Sequence, residues 1–111
     1  LDRLTFIVDY NKHQSFGTTK DVCNLEPFAA KWEAFGFAVS ECDGHDMGSL
    51  KTVFESLPVC HGKPTVVICH TIKGAGIRST EHNLAWHHKS KFLKADYQFL
   101  VSELTEQANE N

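Results

Sequence analysis

Asn11 directly follows a strand-like run, Thr5-Phe6-Ile7-Val8-Asp9 and Tyr10, and opens a polar turn that closes at Gly17. Ligands of parallel α/β sheets collect at the carboxyl ends of the strands, so an amide at this place is a candidate ligand contact. His70 ends a second such run, Thr65-Val66-Val67-Ile68-Cys69, and Lys73-Gly74-Ala75-Gly76 follows it as a loop. Its two glycines permit a tight turn and close approach of backbone to a bound group. His82, His87 and His88 lie in a polar, aromatic stretch of residues 77–91 that has no clear periodicity. They have neither the i, i+4 His-Glu pattern of a zinc helix nor a cysteine partner, so a zinc site is not expected. His45, between Asp43 and Asp46, reads as turn and helix-cap chemistry, with Asp46 as the cap.

The elements that must position these residues alternate in type. Residues 4–9 read as the first strand. Asn24 is a suitable helix N-cap, with Pro27 in the first turn, Phe28, Ala29, Trp32 and Phe35 at helical spacing, and Gly36 as the C′ glycine. Phe37–Cys42 reads as a second strand. Asp46 then caps a helix with the apolar stripe Met47, Leu50, Val53, Phe54 and Leu57, ended by Pro58. The β-branched run at 65–69 suits a strand buried on both faces. Tyr97, Leu100, Val101 and Leu104 define a last amphipathic helix. The expected fold class is α/β: a partial parallel sheet in the order β-α-β-α-β-loop-α. Three such strands leave an unpaired edge, so neighbouring strands are expected from outside this chain. The first strand begins close to the N-terminus, and on this reading nothing upstream in the polypeptide completes the site.

Composition narrows the function classes. Hydrophobic residues at 41% and charged residues at 23% are ordinary for a globular domain. A net charge of −3 provides no footprint for nucleic acid or anionic membrane. No apolar run approaches the roughly 20 residues that span a bilayer, and no secretory pattern is read. Cys23, Cys42, Cys60 and Cys69 form no Cys-x-x-Cys pair, and they are expected as reduced thiols of a cytoplasmic protein.

Several segments together resemble the N-terminal subunit or domain of transketolase. The match runs through Ile7-Val8-Asp9-Tyr10-Asn11, Asp21-Val22, Leu25-Glu26-Pro27, Lys31-Trp32 and Ala34-Phe35-Gly36. It continues through Asp43-Gly44-His45-Asp46, Gly62-Lys63-Pro64-Thr65, His70-Thr71-Ile72-Lys73-Gly74-Ala75-Gly76 and Asn83-Leu84-Ala85-Trp86-His87. The resemblance implies that residues 1–111 are the C-terminal half of a diphosphate-binding domain for thiamine diphosphate and Mg²⁺. It makes the side chain of Asn11 and the main-chain carbonyl of His13 metal ligands, the remaining ligand coming from the aspartate of a Gly-Asp-Gly motif. That motif is absent here, so a partner chain is expected to carry it, and another the pyrimidine-binding domain, in a hetero-oligomer. This chain alone is not expected to bind Mg²⁺ or thiamine diphosphate tightly. The resemblance also assigns Ser15, His70 and Gly74 to the cofactor site and His87 to the active-site histidine facing substrate.

The implied activity is transfer of a two-carbon ketol unit between sugar phosphates. Departures from the family pattern fall at Lys12, where glycine is usual, and at Ser15 and Phe16, where an apolar residue and an aspartate are usual. His88 and Lys89 replace a glycine followed by a small or basic residue, and a nearby proline is missing. The rival expectations are another thiamine-dependent ligase or lyase of secondary sugar metabolism, and a scaffold subunit without chemistry.

Overall fold

The computed structural model describes residues 1–110. Its main sheet contains β1 (Thr5–Tyr10), β4 (Ala38–Asp43) and β5 (Thr65–His70), all parallel, in the spatial order β1-β5-β4. Thr65 at the start of β5 is level with Thr5 on one side and Ala38 on the other. All three strands therefore finish together, at Tyr10, His70 and Asp43. The strands match the expected ones within a residue. The order places β5 in the centre, where Thr65 to Cys69 are buried and Val66, Val67 and Ile68 have no exposure at all.

Two helices cover the two faces. α2 (Phe28–Ala34) contributes Phe28, Ala29 and Trp32, which pack with Val8, Leu25, Phe37 and Val39 against Tyr10, Val66 and Ile68. On the opposite face α3 (Met47–Glu55) brings Leu50 and Val53, with Leu57 just beyond it, against Cys42, Val67 and Cys69. The connection from β1 to β4 steps over the central strand in one direction, and that from β4 to β5 steps back. Crossovers of one hand then place their helices on opposite faces. Cys42 and Cys69 are free thiols with Sγ atoms 3.7 Å apart, and burial pushes the Cys69 thiol up to about 11. They behave as small core hydrophobes.

Several local expectations are corrected. Asn24 does not cap α2: its Oδ1 accepts from the Glu26 backbone N–H, and Glu26 Oε2 accepts from Phe28 N–H at 2.9 Å. Pro27 takes the N-cap place and has no side-chain acceptor, so the cap comes from the glutamate before it. Gly36 does sit just past the helix at φ +89°, and Asp46 caps α3 by accepting from Gly48 and Ser49 N–H. Met47 and Phe54 lie outside the buried stripe of α3, at 75% and 41% exposure. The turn after β1 holds a small hairpin not anticipated from the sequence, β2 (His13–Gln14) against β3 (Gly17–Thr18), followed by α1 (Thr19–Val22). Residues 77–91 form loops with one short 3₁₀ turn, Leu84–Trp86, before α4 (Lys94–Asn109).

Much apolar surface is left uncovered. Ile7 on β1 is 60% exposed, and Tyr97, Phe99, Val101 and Leu104 of α4 are also open. The Cα radius of gyration is 17.4 Å, against about 13 Å for a compact domain of this size. Among the described residues no helix is long and apolar enough to cross a membrane.

The packing sets a stability test. Ile68→Ala in the full-length protein should cost about 3 kcal/mol in chemical denaturation, as large-to-small core changes do. Phe35→Ala, at a position 81% exposed, should cost less than about 0.5 kcal/mol. Equal losses would contradict the central place of β5.

Candidate functional site at the carboxyl edge of the sheet

Because the three strands end level, the residues following them gather at one edge. Two adjoining clefts open there and share His45, Thr71 and Ile72. One, of about 190 Å³, is lined also by Asp9, Asn11, Lys73 and Gly74. The other, of about 480 Å³, adds Lys12, Asp43 and His70. Asn11, Gly74 and His70 are thus brought together as expected from the sequence, whereas His13, Ser15 and His87 line neither cleft. Those three belong to a neighbouring group.

Asn11 is half-buried, and its Oδ1 accepts from the His13 backbone N–H at 3.0 Å. The His13 ring Nδ1 lies 3.0 Å from the Asn11 carbonyl oxygen. A carbonyl can only accept, so that nitrogen carries the proton. On the far side of the cleft, Thr71 donates its hydroxyl to Asp9, and Ile72 N–H donates to His45 Nε2 at 2.8 Å. His45 N–H in turn donates to Asp43 Oδ1 at 2.8 Å. The turn role expected for His45 holds, but its ring also pins the loop after β5. Gly74 stands in that loop at φ +78°, its carbonyl accepting from Thr80 Oγ1 at 2.7 Å. A Cβ there would meet the Thr80 carbonyl oxygen at 2.3 Å, so only glycine fits.

The second group is built of imidazoles. Asn83 caps the 3₁₀ turn by accepting from Ala85 N–H, and His87 follows it. The His87 ring lies edge-on to His88 at 4.1 Å, and His13 faces His82 at 5.7 Å. His88 Nε2 is 2.9 Å from Ser15 Oγ, joining the small hairpin to a loop 73 residues further on. His87 Nδ1 is shut off from solvent with no hydrogen-bond partner among the described residues. This desolvation, more than the charges of Lys73, His88 and His13, holds the His87 pKa below its ordinary value. The ring therefore stays neutral at pH 7, able to donate from one nitrogen and accept at the other.

Lys12 and Glu41 were not legible as site residues. Lys12 Nζ is 2.9 Å from His70 Nδ1, and His70 Nε2 is 2.6 Å from Glu41 Oε2. His70 is thereby engaged on both nitrogens. Lys12 sits at φ +65°, and among the described residues the other non-glycine ones at positive φ are His82 and His88. Such a conformation costs about 1–2 kcal/mol for a residue with a Cβ. All three stand around this edge. The one sequence signal was Lys12 and His88 at places where the resembled family has glycine. Glu41 gave none, being a polar residue in an alternating strand.

Fold and site together define an α/β domain with its clefts at the carboxyl edge of a parallel sheet. The chain belongs to the transketolase family: residues 1–104 match its thiamine diphosphate binding domain. It is 49% identical over 89 residues to one subunit of the apulose-4-phosphate transketolase of Actinobacillus succinogenes, covering 80% of this chain and 32% of that protein. It is 38% identical over 104 residues to 6-deoxy-6-sulfo-D-fructose transketolase subunit SqwG of a Clostridium species, covering 94% and 38%. The like-named apulose-4-phosphate transketolase polypeptide of Phocaeicola vulgatus is 37% identical over 106 residues, covering 96% and 37%. The chain thus spans roughly a third to two fifths of the length of these relatives.

The loop after β5 has a direct test. Gly74→Ala combines a backbone clash at 2.3 Å with positive φ, and should cost about 2 kcal/mol or more. Gly36→Ala has the same sign of φ and open space, and should cost only about 1 kcal/mol. Thermal melts of both variants in the full-length protein check the order; a harmless Gly74→Ala would refute the close approach to Thr80.

Proposed function

We propose that these residues form the later part of the thiamine-diphosphate site of a transketolase-like transferase, one that moves a two-carbon ketol unit between sugar phosphates with Mg²⁺. The observation that carries this reading is the Asn11 amide, half-buried at the carboxyl end of β1 beside an open cleft. Its donor chemistry fits the cation. Asn11 Oδ1 is a hard, uncharged oxygen with one hydrogen bond, from His13 N–H, and a carbonyl oxygen has two lone pairs. Mg²⁺ takes oxygen ligands, commonly one or two carboxylates with phosphate oxygens, so an added amide brings no further negative charge near a diphosphate.

When bound, thiamine diphosphate supplies the electron sink for carbon–carbon cleavage. The residues of this chain hold and orient. Asn11 and the His13 carbonyl would hold the cation, while Gly74 lets backbone come close, with His70 and Ser15 beside the cofactor. His87, neutral near pH 7, would hold or move a proton at a substrate hydroxyl. The carboxylate of the Gly-Asp-Gly motif and the pyrimidine-binding domain come from polypeptide outside these 111 residues. The names of the relatives, which call them subunits, support a hetero-oligomer. Those names also point to sugars bearing phosphate or sulfonate as substrates. Free thiols at Cys23, Cys42, Cys60 and Cys69 suit a cytoplasmic setting.

A second reading, a scaffold subunit that kept the fold without the chemistry, draws on Ser15 and His88. These depart from the family pattern and bond to each other. Ketol-transfer assays on the assembled full-length protein separate the two readings. His87→Ala should lower kcat/KM by about 100-fold or more, in the range typical of a lost general acid or base, and Asn11→Ala should lower it through weakened hold on the cation. Because the His87 pKa is depressed, kcat/KM should hold as pH falls through about 6.5 and decline only below it. Turnover unchanged in both variants establishes the scaffold.

A further inference from the structure

Lys12 occupies a backbone conformation that glycine would adopt without strain, yet it carries one of the longest side chains available. A side chain kept in the left-handed region is held there by its surroundings, and such residues gather at functional sites. The holding contacts of Lys12 run across the sheet. Its ammonium reaches His70 Nδ1 at 2.9 Å and the Tyr10 carbonyl oxygen at 3.5 Å, and lies 4.8 Å above the Tyr10 ring. Its own carbonyl accepts from Thr19 N–H at 2.8 Å. His70 passes the connection to Glu41 at 2.6 Å.

We propose that Lys12, His70 and Glu41 form a strap across the carboxyl edge, in the sheet order β1-β5-β4, and that Lys12 is the positioning residue of the Asn11–His13 turn. Proton placement supports the strap. An ammonium can only donate and a carboxylate only accept. His70 is then the neutral tautomer with its proton on Nε2, taking a bond at one nitrogen and giving one at the other. Bonds in such a chain polarise one another. Isolated exposed ion pairs contribute little to stability, but members of one hydrogen-bonded network couple measurably; that coupling reads the strap, and its function is geometric. It holds one residue, and the two flanking residues are the ones assigned to the metal. That consequence rests on the thiamine-diphosphate reading; the strap itself does not.

A double-mutant cycle tests the strap in the full-length protein. Lys12→Ala and Glu41→Ala remove its two ends, which do not touch. Residues without a shared partner give additive effects. The expected result is a fall in thermal midpoint for the double variant smaller than the sum of the single ones, since either change alone already breaks the chain at His70. Strict additivity, including no effect from either, overturns the strap. Lys12→Arg, which keeps a cation, should fold and retain the coupling.

Lys12→Gly then tests positioning. It frees the backbone and removes the side chain, and the expected result is a roughly tenfold weaker Mg²⁺ affinity in the presence of thiamine diphosphate, by isothermal titration of the full-length protein assembled with its partner polypeptide. That factor is a loss of about 1.4 kcal/mol. A raised thermal midpoint with unchanged affinity refutes positioning and leaves Lys12 a strained occupant. If the unmodified protein, assembled with the polypeptide that carries the Gly-Asp-Gly motif, takes up neither Mg²⁺ nor thiamine diphosphate, the functional reading fails, while the cycle still judges the strap.

Discussion

Burial of β5 on both faces is the constraint from which the rest of the molecule follows. Val66 and Ile68 point to the side of α2, Val67 and Cys69 to the side of α3, and none of them is more than slightly exposed. A strand with no polar face can only sit between two layers, and its backbone groups must then pair on both edges. β1 and β4 supply that pairing in register, so the three strands stop at the same level. The crevice is a consequence of that levelling. Asn11, Asp43 and His70 are distant in sequence and meet because their strands run equally far.

The edge is electrostatically divided. On the sheet side, polar groups are hydrogen-bonded to one another: Glu41 with His70, His70 with Lys12, and the Tyr10 hydroxyl to Glu26. The Phe28 N–H and that hydroxyl hold the Glu26 carboxyl below its usual range, while burial pushes the Tyr10 phenol up. On the loop side, desolvation and then the neighbouring Lys73, His88 and His13 lower the pKa of His87. Its Nδ1 is buried without a partner among the described residues.

Residues that break local rules sit around this edge. Lys12, His82 and His88 hold positive φ, and each has a side chain that meets another element: His70, His13 and Ser15 respectively. Where glycine would give the turn cheaply, these side chains give it together with a cross-link. The small hairpin after β1 is tied in this way both to the central strand and to the loop carrying His87. Both tied partners lie at least 58 residues further along the chain.

Periodicity and turn chemistry were enough to read the three strands of the main sheet, the helices α2, α3 and α4, their alternation and the placing of Asn11, His70 and Gly74 at one edge. The run Thr65–Cys69 is typical of a strand buried on both faces, and Asp46 is suited to cap a helix start. The cap of α2 was not readable, because Glu26 reaches it through a local bend that spacing does not encode. Nor were the exposure of Met47 and Phe54, the pairing of His45 with Ile72, or the strap through Lys12 and Glu41. Local pattern reports which face a residue prefers. Which side chains meet across strands depends on sheet order and register, and those are set only when the whole chain packs.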